Sequence, residues 1–580
     1  YRNVEFNRDW SVDSSLPRQD EHLLTFQSWL KRSSRLGLRY NLTYFKNGSY
    51  FDAFRNIAAL DWNHRSLRGN LTFNMMNAEA TGFRTSYFRP QGFIERRFQN
   101  LLNLTLGTSY ELEENDSRLR DGNTLRSNAF RFDVFSVYLK NEESAPVRLQ
   151  LRYFTRADFE ADTTRFIKDS RSQNIEWKAG LQQWENHQVS LTGGYRFLNI
   201  INPHNTQLRP DESVVGRLEY QGTLWNKLVT TTLMYELGTG QEQKREYTYI
   251  EVDAGLGMFM WVDYNGDGIQ QANEFELAIF NDQKRFIRTL TLTNEYINVD
   301  YASLSYSLML QPDNIWNTRI KGLKGFLSRF SNQLSLQLNN RVMEGLGLQA
   351  FNVFNNDLTE ELIIQQSRNI INTLFFNRSS TRFGLDYVYT LNTGKTLLTY
   401  GIESNKIQQH IGKVRWGINK VFTLNLKGLE GQRSYYSGLD DGRTYDISTL
   451  GIEPSVIAMF TTRLRLTLSY NHESRSNAPE AGPEKALIRS GNLDLRWSLP
   501  RSGVVQARCT YANIRYNGEA NTSVAFTMLD ALSKGQNFLW GLGWDSRIAK
   551  GIELSLEYEG RKPGTNRVIH TGRMSIRALL

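Results

Sequence analysis

Arg567-Val568-Ile569-His570-Thr571-Gly572-Arg573-Met574-Ser575-Ile576-Arg577-Ala578-Leu579-Leu580 closes the chain. In an extended strand successive side chains point to opposite faces. Val568, His570, Gly572, Met574, Ile576, Ala578 and Leu580 then share one side, and Arg567, Ile569, Thr571, Arg573, Ser575 and Arg577 share the other. From Met574 to Ala578 the division is clean, apolar against polar. One face suits lipid and the other suits water.

The same period of two returns upstream. Leu36, Leu38, Tyr40, Leu42 and Tyr44 alternate with Gly37, Arg39, Asn41 and Thr43; Leu464, Leu466, Leu468 and Tyr470 alternate with Arg463, Arg465, Thr467 and Ser469. Phe538, Trp540, Leu542 and Trp544 form another such set, and so do Ile552, Leu554, Leu556 and Tyr558. Short polar turns lie between such tracts: Lys46-Asn47-Gly48-Ser49, Asn392-Thr393-Gly394-Lys395, Asp440-Asp441-Gly442-Arg443 and Ala549-Lys550-Gly551. Each supplies Gly, Asn or Asp where a tight hairpin needs positive φ. A meander of antiparallel strands follows.

A soluble β-sandwich also alternates, with its apolar side turned inward. Three features favour the membrane alternative. The tracts reach about nine to twelve residues, the length of a tilted membrane strand, against about five or six in soluble proteins. Only 11 Pro occur, so linkers between domains are not evident. Aromatic residues recur near strand ends, as in Tyr44-Phe45, Tyr153-Phe154, Trp184 and Trp497, where an interfacial girdle needs them. A propeller is disfavoured because no repeat of about 40 to 50 residues is visible. The expectation is one all-β domain over residues 1–580, a large antiparallel transmembrane β-barrel with long loops and a few short helices. At about 22 residues per strand and connection it holds roughly 24 to 28 strands, preferably an even number.

Composition agrees. Hydrophobic residues make up 40% and mean hydropathy is -0.50, yet there are 27 Tyr, 32 Phe and 12 Trp: a wall greasy on one side only. No run of about 18 apolar residues exists, which excludes a transmembrane helix. The chain starts at Tyr1 without a charged-then-apolar leader, as expected of a mature product or a fragment. A single cysteine, Cys509, forbids an internal disulfide and a Cys-based zinc site; in phase with Val505, Ala507 and Tyr511, it reads as a small apolar side chain. The net charge of +9 comes with Arg on polar strand faces, a basic lumen or rim rather than a nucleic-acid groove.

The longer non-alternating stretches are candidate plugs or surface loops: 113–127, 156–173, 199–213, 253–284, 311–330 and 352–377. Residues 315–330 and 358–371 are each expected to form a short helix. Chemistry concentrates in the insertion 253–284, where Asp263-Tyr264-Asn265-Gly266-Asp267-Gly268-Ile269-Gln270-Gln271-Ala272-Asn273-Glu274 satisfies D-x-[DN]-x-[DN]-G-x5-E. A hard cation such as Ca²⁺ wants six to eight oxygens at short range. Asp263, Asn265 and Asp267 offer side-chain oxygens, Ile269 its carbonyl, Gln271 a side chain or a water, and Glu274 both carboxylate oxygens. Gly268 permits the bend. The twelve residues resemble the calcium loop of EF-hands and dockerin-like modules; upstream 256–262 reads as extended, and 272–280 as the outgoing helix.

The start Tyr1 to Trp10, the block Trp261 to Glu276, Asn294-Glu295-Tyr296 and the Arg577-Ala578-Leu579-Leu580 ending together resemble the C-terminal barrel portion of large outer-membrane proteins of Bacteroidota. The closing strand also resembles that of bacterial outer-membrane barrels, with Leu580 where Phe is usual. The resemblance implies the bacterial outer membrane as location, its lipid and lipopolysaccharide as surroundings, and other outer-membrane or periplasmic proteins as partners. It also implies a part in assembly or translocation of other proteins. Transport of anionic or large solutes is the alternative, and an outer-membrane hydrolase the next. The seven His are scattered without HExxH spacing, no Walker, G-x-S-x-G or dinucleotide motif occurs, and Glu113-Glu114, Glu142-Glu143 and Glu360-Glu361 read as solvated loop residues. The chain therefore reads as non-enzymatic.

Overall fold

Alternating tracts pair with their neighbours along the chain because a short turn can join antiparallel strands, and pairing satisfies every backbone N–H and C=O between them. The computed structural model describes residues 10, 19–33, 35–99, 103–141, 145–184, 186–202, 211–316, 321–355, 359–398, 401–438, 443–478, 482–500, 503–549 and 551–578. Among them are 27 strands; two, Phe259–Trp261 and Phe275–Leu277, have three residues, which leaves 25 long ones. The number lies within the expected range but is odd. No helix is long and apolar enough to cross a membrane.

The described chain divides into two compact units, Tyr1–Tyr220 with Glu236–Thr239, and Gln221–Tyr235 with Gly240–Leu580. In the first, consecutive strands from Glu21–Ser33 to His187–Ile200 pair antiparallel. In the second the same holds from Phe286–Leu310 to Ile569–Ala578. The all-β, antiparallel expectation is met.

Register sorts side chains into cross-strand rows. In the second unit one face carries Leu464, Trp497, Val505, Trp544, Leu556 and Met574 in line, with Leu466, Leu495, Ala507, Leu542, Tyr558 and Gly572 beside them. The opposite face carries Arg465, Arg496, Gln506, Gly543, Glu557 and Arg573, then Thr467, Asp494, Arg508, Gly541, Glu559 and Thr571. The apolar face is uncovered: Leu468 is 56%, Leu542 52% and Met574 62% exposed. Cys509 lies on it, between Leu493 and Trp540. In the first unit Leu106, Leu139 and Leu151 make a comparable exposed row, while Glu95 on the other face takes Tyr138 Oη at 2.9 Å and Arg68 at 2.7 Å.

Four strand glycines fix this register. Gly69, Gly107, Gly193 and Gly560 face Trp62, Tyr138, Trp177 and Trp540 across the ladder, and the ring of each partner lies over the glycine where a Cβ would stand. An aromatic ring laid over a bare backbone shields its hydrogen bonds and admits no slip.

Further along the same strands the polar face turns apolar, with Ile447, Ala486, Ile488, Ile514 and Tyr516. There the helix Ser523–Leu529 covers it through Val524, Ala525, Met528 and Leu529. Thr522 Oγ1 accepts the Ala525 N–H at 3.1 Å, and left-handed Asp530 ends the helix while its carboxylate holds Arg475 at 2.8 Å. In the first unit, Trp10, Phe45, Phe51, Met76 and Tyr87 form the buried cluster.

Several local expectations give way to pairing. Asn392-Thr393-Gly394-Lys395 is no turn; it lies inside Phe383–Leu398 with partners on both sides, so two ladders outweigh turn propensity. Residues 363–376 are strand, not helix, because Ile363, Ile370 and Ile371 enter the ladder with Phe330–Met343; among the described residues of 358–371 only Glu360–Leu362 turns helically. Among the described residues of 315–330 the helix is Leu323–Leu327 alone. The stretch 156–173 is a hairpin of Val147–Asp162 and Arg165–Trp184, and 113–119 continues Leu104–Leu119. Glu113 is thus buried rather than solvated, taking Tyr87 Oη at 2.5 Å and Arg89 at 2.6 Å. The Asn47-Gly48 turn stands, with Gly48 at φ +50, and Gly551 stands at φ +79. Asp440 to Gly442, Glu142-Glu143, most of 199–213, Tyr1 to Asp9 and Leu579-Leu580 lie outside the described residues.

Gly560→Val forces a branched side chain into the space of the Trp540 ring. It is expected to cost about 1–3 kcal/mol, read as a lower temperature at which the compact form on unheated gels is lost; Gly572→Val, with open space above it, serves as control.

Candidate metal centre

The insertion 253–284 begins with a short hairpin in which Phe259 faces Leu277, Met260 faces Glu276 and Trp261 faces Phe275. Phe275 drives it: buried, it stacks flat on Tyr249 at 3.9 Å and takes the edge of Phe286 at 5.0 Å. The segment after Glu274 is therefore the strand Phe275–Leu277, reached through the single turn Ala272–Glu274, and not the expected helix.

Between the two arms the chain coils on its own side chains. Asp263 accepts the N–H groups of Gly266 at 2.7 Å and Gly268 at 3.0 Å, and Asp267 accepts that of Ile269 at 2.7 Å. Gly266 and Gly268 have φ of +75 and +70, which a side chain rarely allows. This brings a carboxylate oxygen each from Asp263, Asp267 and Glu274 within 4.8 Å of one another. Asn265 spends its Oδ1 on the Asp267 N–H at 2.9 Å, and Gln271 turns its amide Nε2 to Asp267 at 2.7 Å. Three of the six expected ligands thus converge as charged donors. Asn265, Ile269 and Gln271 are placed by the loop's own hydrogen bonds.

Glu274 is 2% exposed. Its Oε2 takes Trp261 Nε1 at 2.8 Å and the Gln271 N–H at 3.3 Å, while Oε1 is buried without a hydrogen-bond partner. A buried carboxylate oxygen left in that condition costs free energy unless a cation satisfies it. Oxygen-only donors with clustered negative charge suit a hard divalent ion.

Distant residues seat the loop on the polar sheet face. Glu276 accepts Tyr264 Oη at 3.1 Å and Arg443 Nη2 at 3.4 Å, and Arg443 also reaches the Phe275 carbonyl at 3.3 Å. Burial, then the Glu276 charge, pushes the Tyr264 hydroxyl far above its ordinary pKa. Arg561 grips both oxygens of Asp282 and lies 4.1 Å from the Phe280 ring centre. Arg573 occupies the space beside Gly255, and Asn521 Nδ2 donates to the Asp263 carbonyl at 3.5 Å. Sequence reading missed Arg443, Arg561 and Asn521, because nothing local marks an arginine whose partner is 167 or 279 positions away.

No protein-family model and no curated protein matches this chain. Among solved structures it is similar to a ferric enterobactin receptor mutant from Pseudomonas aeruginosa, with 9% identity over 96% of this chain and 80% of that one, TM-score 0.29. It is also similar to the FrpB iron transporter from Neisseria meningitidis, with 8% identity, 94% and 82% coverage and TM-score 0.30. The ferric preacinetobactin receptor BauA from Acinetobacter baumannii gives 7%, 95% and 80%, and 0.31. Identity and superposition are low in all three.

Arg443→Ala strips a buried carboxylate of its counter-charge, a change that costs about 3–5 kcal/mol. Protease nicking within 253–284 is expected to rise by two orders of magnitude or more. Arg508→Ala, which breaks the exposed pair with Asp494, is worth about 1 kcal/mol at most and should leave nicking unchanged.

Proposed function

We propose that this chain is a non-enzymatic β-barrel of the bacterial outer membrane, a subunit of an envelope complex that assembles or translocates other proteins. The observation that carries the membrane reading is the uncovered apolar face opposite a polar one, repeated strand after strand. Water would leave those rows unsatisfied; acyl chains would cover them, and strands cross a bilayer only as closed barrels. The surroundings are then outer-membrane lipid and lipopolysaccharide.

The complex reading rests on the insertion. Seated by Arg443 and Arg561, it still exposes Leu256, Met258, Leu277 and Ile279. A fixed loop with bare apolar side chains serves as a docking surface for another outer-membrane or periplasmic protein. Calcium bound by Asp263, Asp267 and Glu274, with Asn265, Ile269 and Gln271 completing the loop, would pin that surface and supply no reaction step. His187, His410 and His570 hold tyrosine hydroxyls, at 2.9, 2.7 and 2.9 Å, which suits a structural role better than a hydrolytic one.

A second reading, a solute channel, is favoured by a cavity of about 760 Å³ beside the loop on the polar face. Stoichiometric partners after detergent extraction are expected for a subunit; a solitary protein with large conductance in planar bilayers would instead select the channel. Without surfactant the protein should aggregate, and a monodisperse aqueous solution would overturn the membrane reading.

Calcium is expected to raise the melting temperature of the wild-type chain and to leave Asp263→Ala/Glu274→Ala unmoved. Identical melting of both proteins with calcium and with chelator would remove the metal from the proposal.

A further inference from the structure

The cavity beside the loop has a charge pattern that neither a wall nor a docking surface needs. It is bounded by Ile279, Phe280 and Asn281 of the insertion and by the polar rows of the strands 464–477, 485–499, 503–516, 535–549, 552–563 and 569–578. At one end Arg465 stands directly opposite Arg496 in the ladder. Like charges in that position repel, and among the described residues neither is held by a carboxylate. The nearest acid, Asp494, is already taken by Arg508 at 2.8 Å. At the other end Glu557 and Glu559 project from one strand. The register places Arg573 opposite Glu557, but its guanidinium turns to Gly255 of the insertion. Between the two poles lie two strands: 503–516 presents Gln506 and Arg508, the latter neutralised by Asp494, and 535–549 presents Gly541 and Gly543, which contribute no side chain.

Among the described residues two cations without a carboxylate partner and two carboxylates without a basic partner thus face one cavity, across a floor whose half nearest the acids is glycine. The strands bearing Arg496 and Glu557 are three ladder spacings apart, about 14 Å at roughly 4.8 Å per strand. An extended peptide spans about 3.4 Å per residue, so four residues reach from pole to pole. A smaller zwitterion such as a free amino acid reaches one pole only.

We propose that this cavity binds a short extended peptide with free ends, about four residues long. Its carboxylate lies between Arg465 and Arg496, where two guanidiniums give forked hydrogen bonds. Its ammonium lies at Glu557 and Glu559. The glycine floor lets the peptide backbone approach closely. The site belongs to the polar face and does not depend on what covers the apolar one.

The test is isothermal titration of the full chain in detergent with tetraglycine, tetraglycine amide, N-acetyl-tetraglycine and diglycine. Tetraglycine is expected to bind saturably, and each of the other three at least tenfold more weakly. Arg465→Gln/Arg496→Gln should abolish the preference for a free carboxylate while keeping that for a free amine; Glu557→Gln/Glu559→Gln should do the reverse. These side chains project from the polar face of paired strands, and unchanged heat-dependent gel mobility confirms that each variant is folded. Absence of saturable binding, equal binding of blocked peptides, or loss of both preferences in both folded variants would overturn the proposal.

Discussion

The structure depends on the cross-strand pair. The strands 464–477, 485–499, 503–516, 535–549 and 552–563 are each held by neighbours on both sides, and along the rows described above apolar residues meet apolar ones or glycine while polar residues meet polar ones or glycine. A slip by one residue would move every leucine of a strand onto the polar face. That penalty is why Leu464 and Met574, five strands apart in the ladder, lie in one row. The glycine positions under Trp62, Tyr138, Trp177 and Trp540 work in the same direction, because a ring that has found its gap in the next strand tolerates no other register.

Polar rows created in this way are scarcely neutral. They carry buried or half-buried charges that must find partners within the sheet or above it, and the two solutions divide the surface. Glu113 and Glu95 are satisfied in the sheet by Tyr87, Arg89, Tyr138 and Arg68. Arg561 and Arg443 are satisfied from above by Asp282 and Glu276 of the insertion. The loop is thus held by the same electrostatic demand that a strand pair meets elsewhere. Glu274, two residues from Glu276, faces into its own coil with one oxygen still unmatched. Rigid attachment on one side and an unmatched donor on the other make the loop the place where binding can be read as stability.

Local sequence signals failed where two ladders competed with them. Asn392-Thr393-Gly394-Lys395 has turn composition, but both its edges are paired, and the ladder hydrogen bonds gained there outweigh turn propensity. Residues 272–280 scan as a helix, yet Phe275 gains more by stacking on Tyr249 than a few helical hydrogen bonds return. Residues 363–376 read either way by pattern, and the waiting edge of Phe330–Met343 decides. In each case the deciding contact lies too far along the chain for any window to include it.

What the sequence determined alone is what repeats every two residues or is written in one short coil. The alternation dictated strands and which side chains share a face. The spacing Asp263, Asp267, Glu274 dictated the convergence of three carboxylates, because the intervening glycines and backbone amides close the coil locally. The tertiary structure alone decided where that coil sits. Arg443, Arg561 and Asn521 are ordinary residues in sequence, and they acquire their part only when antiparallel pairing brings strands more than a hundred positions downstream beneath the loop. The opposed Arg465 and Arg496 likewise exist only as a consequence of register, since a charge recognises its neighbour through space and not along the chain.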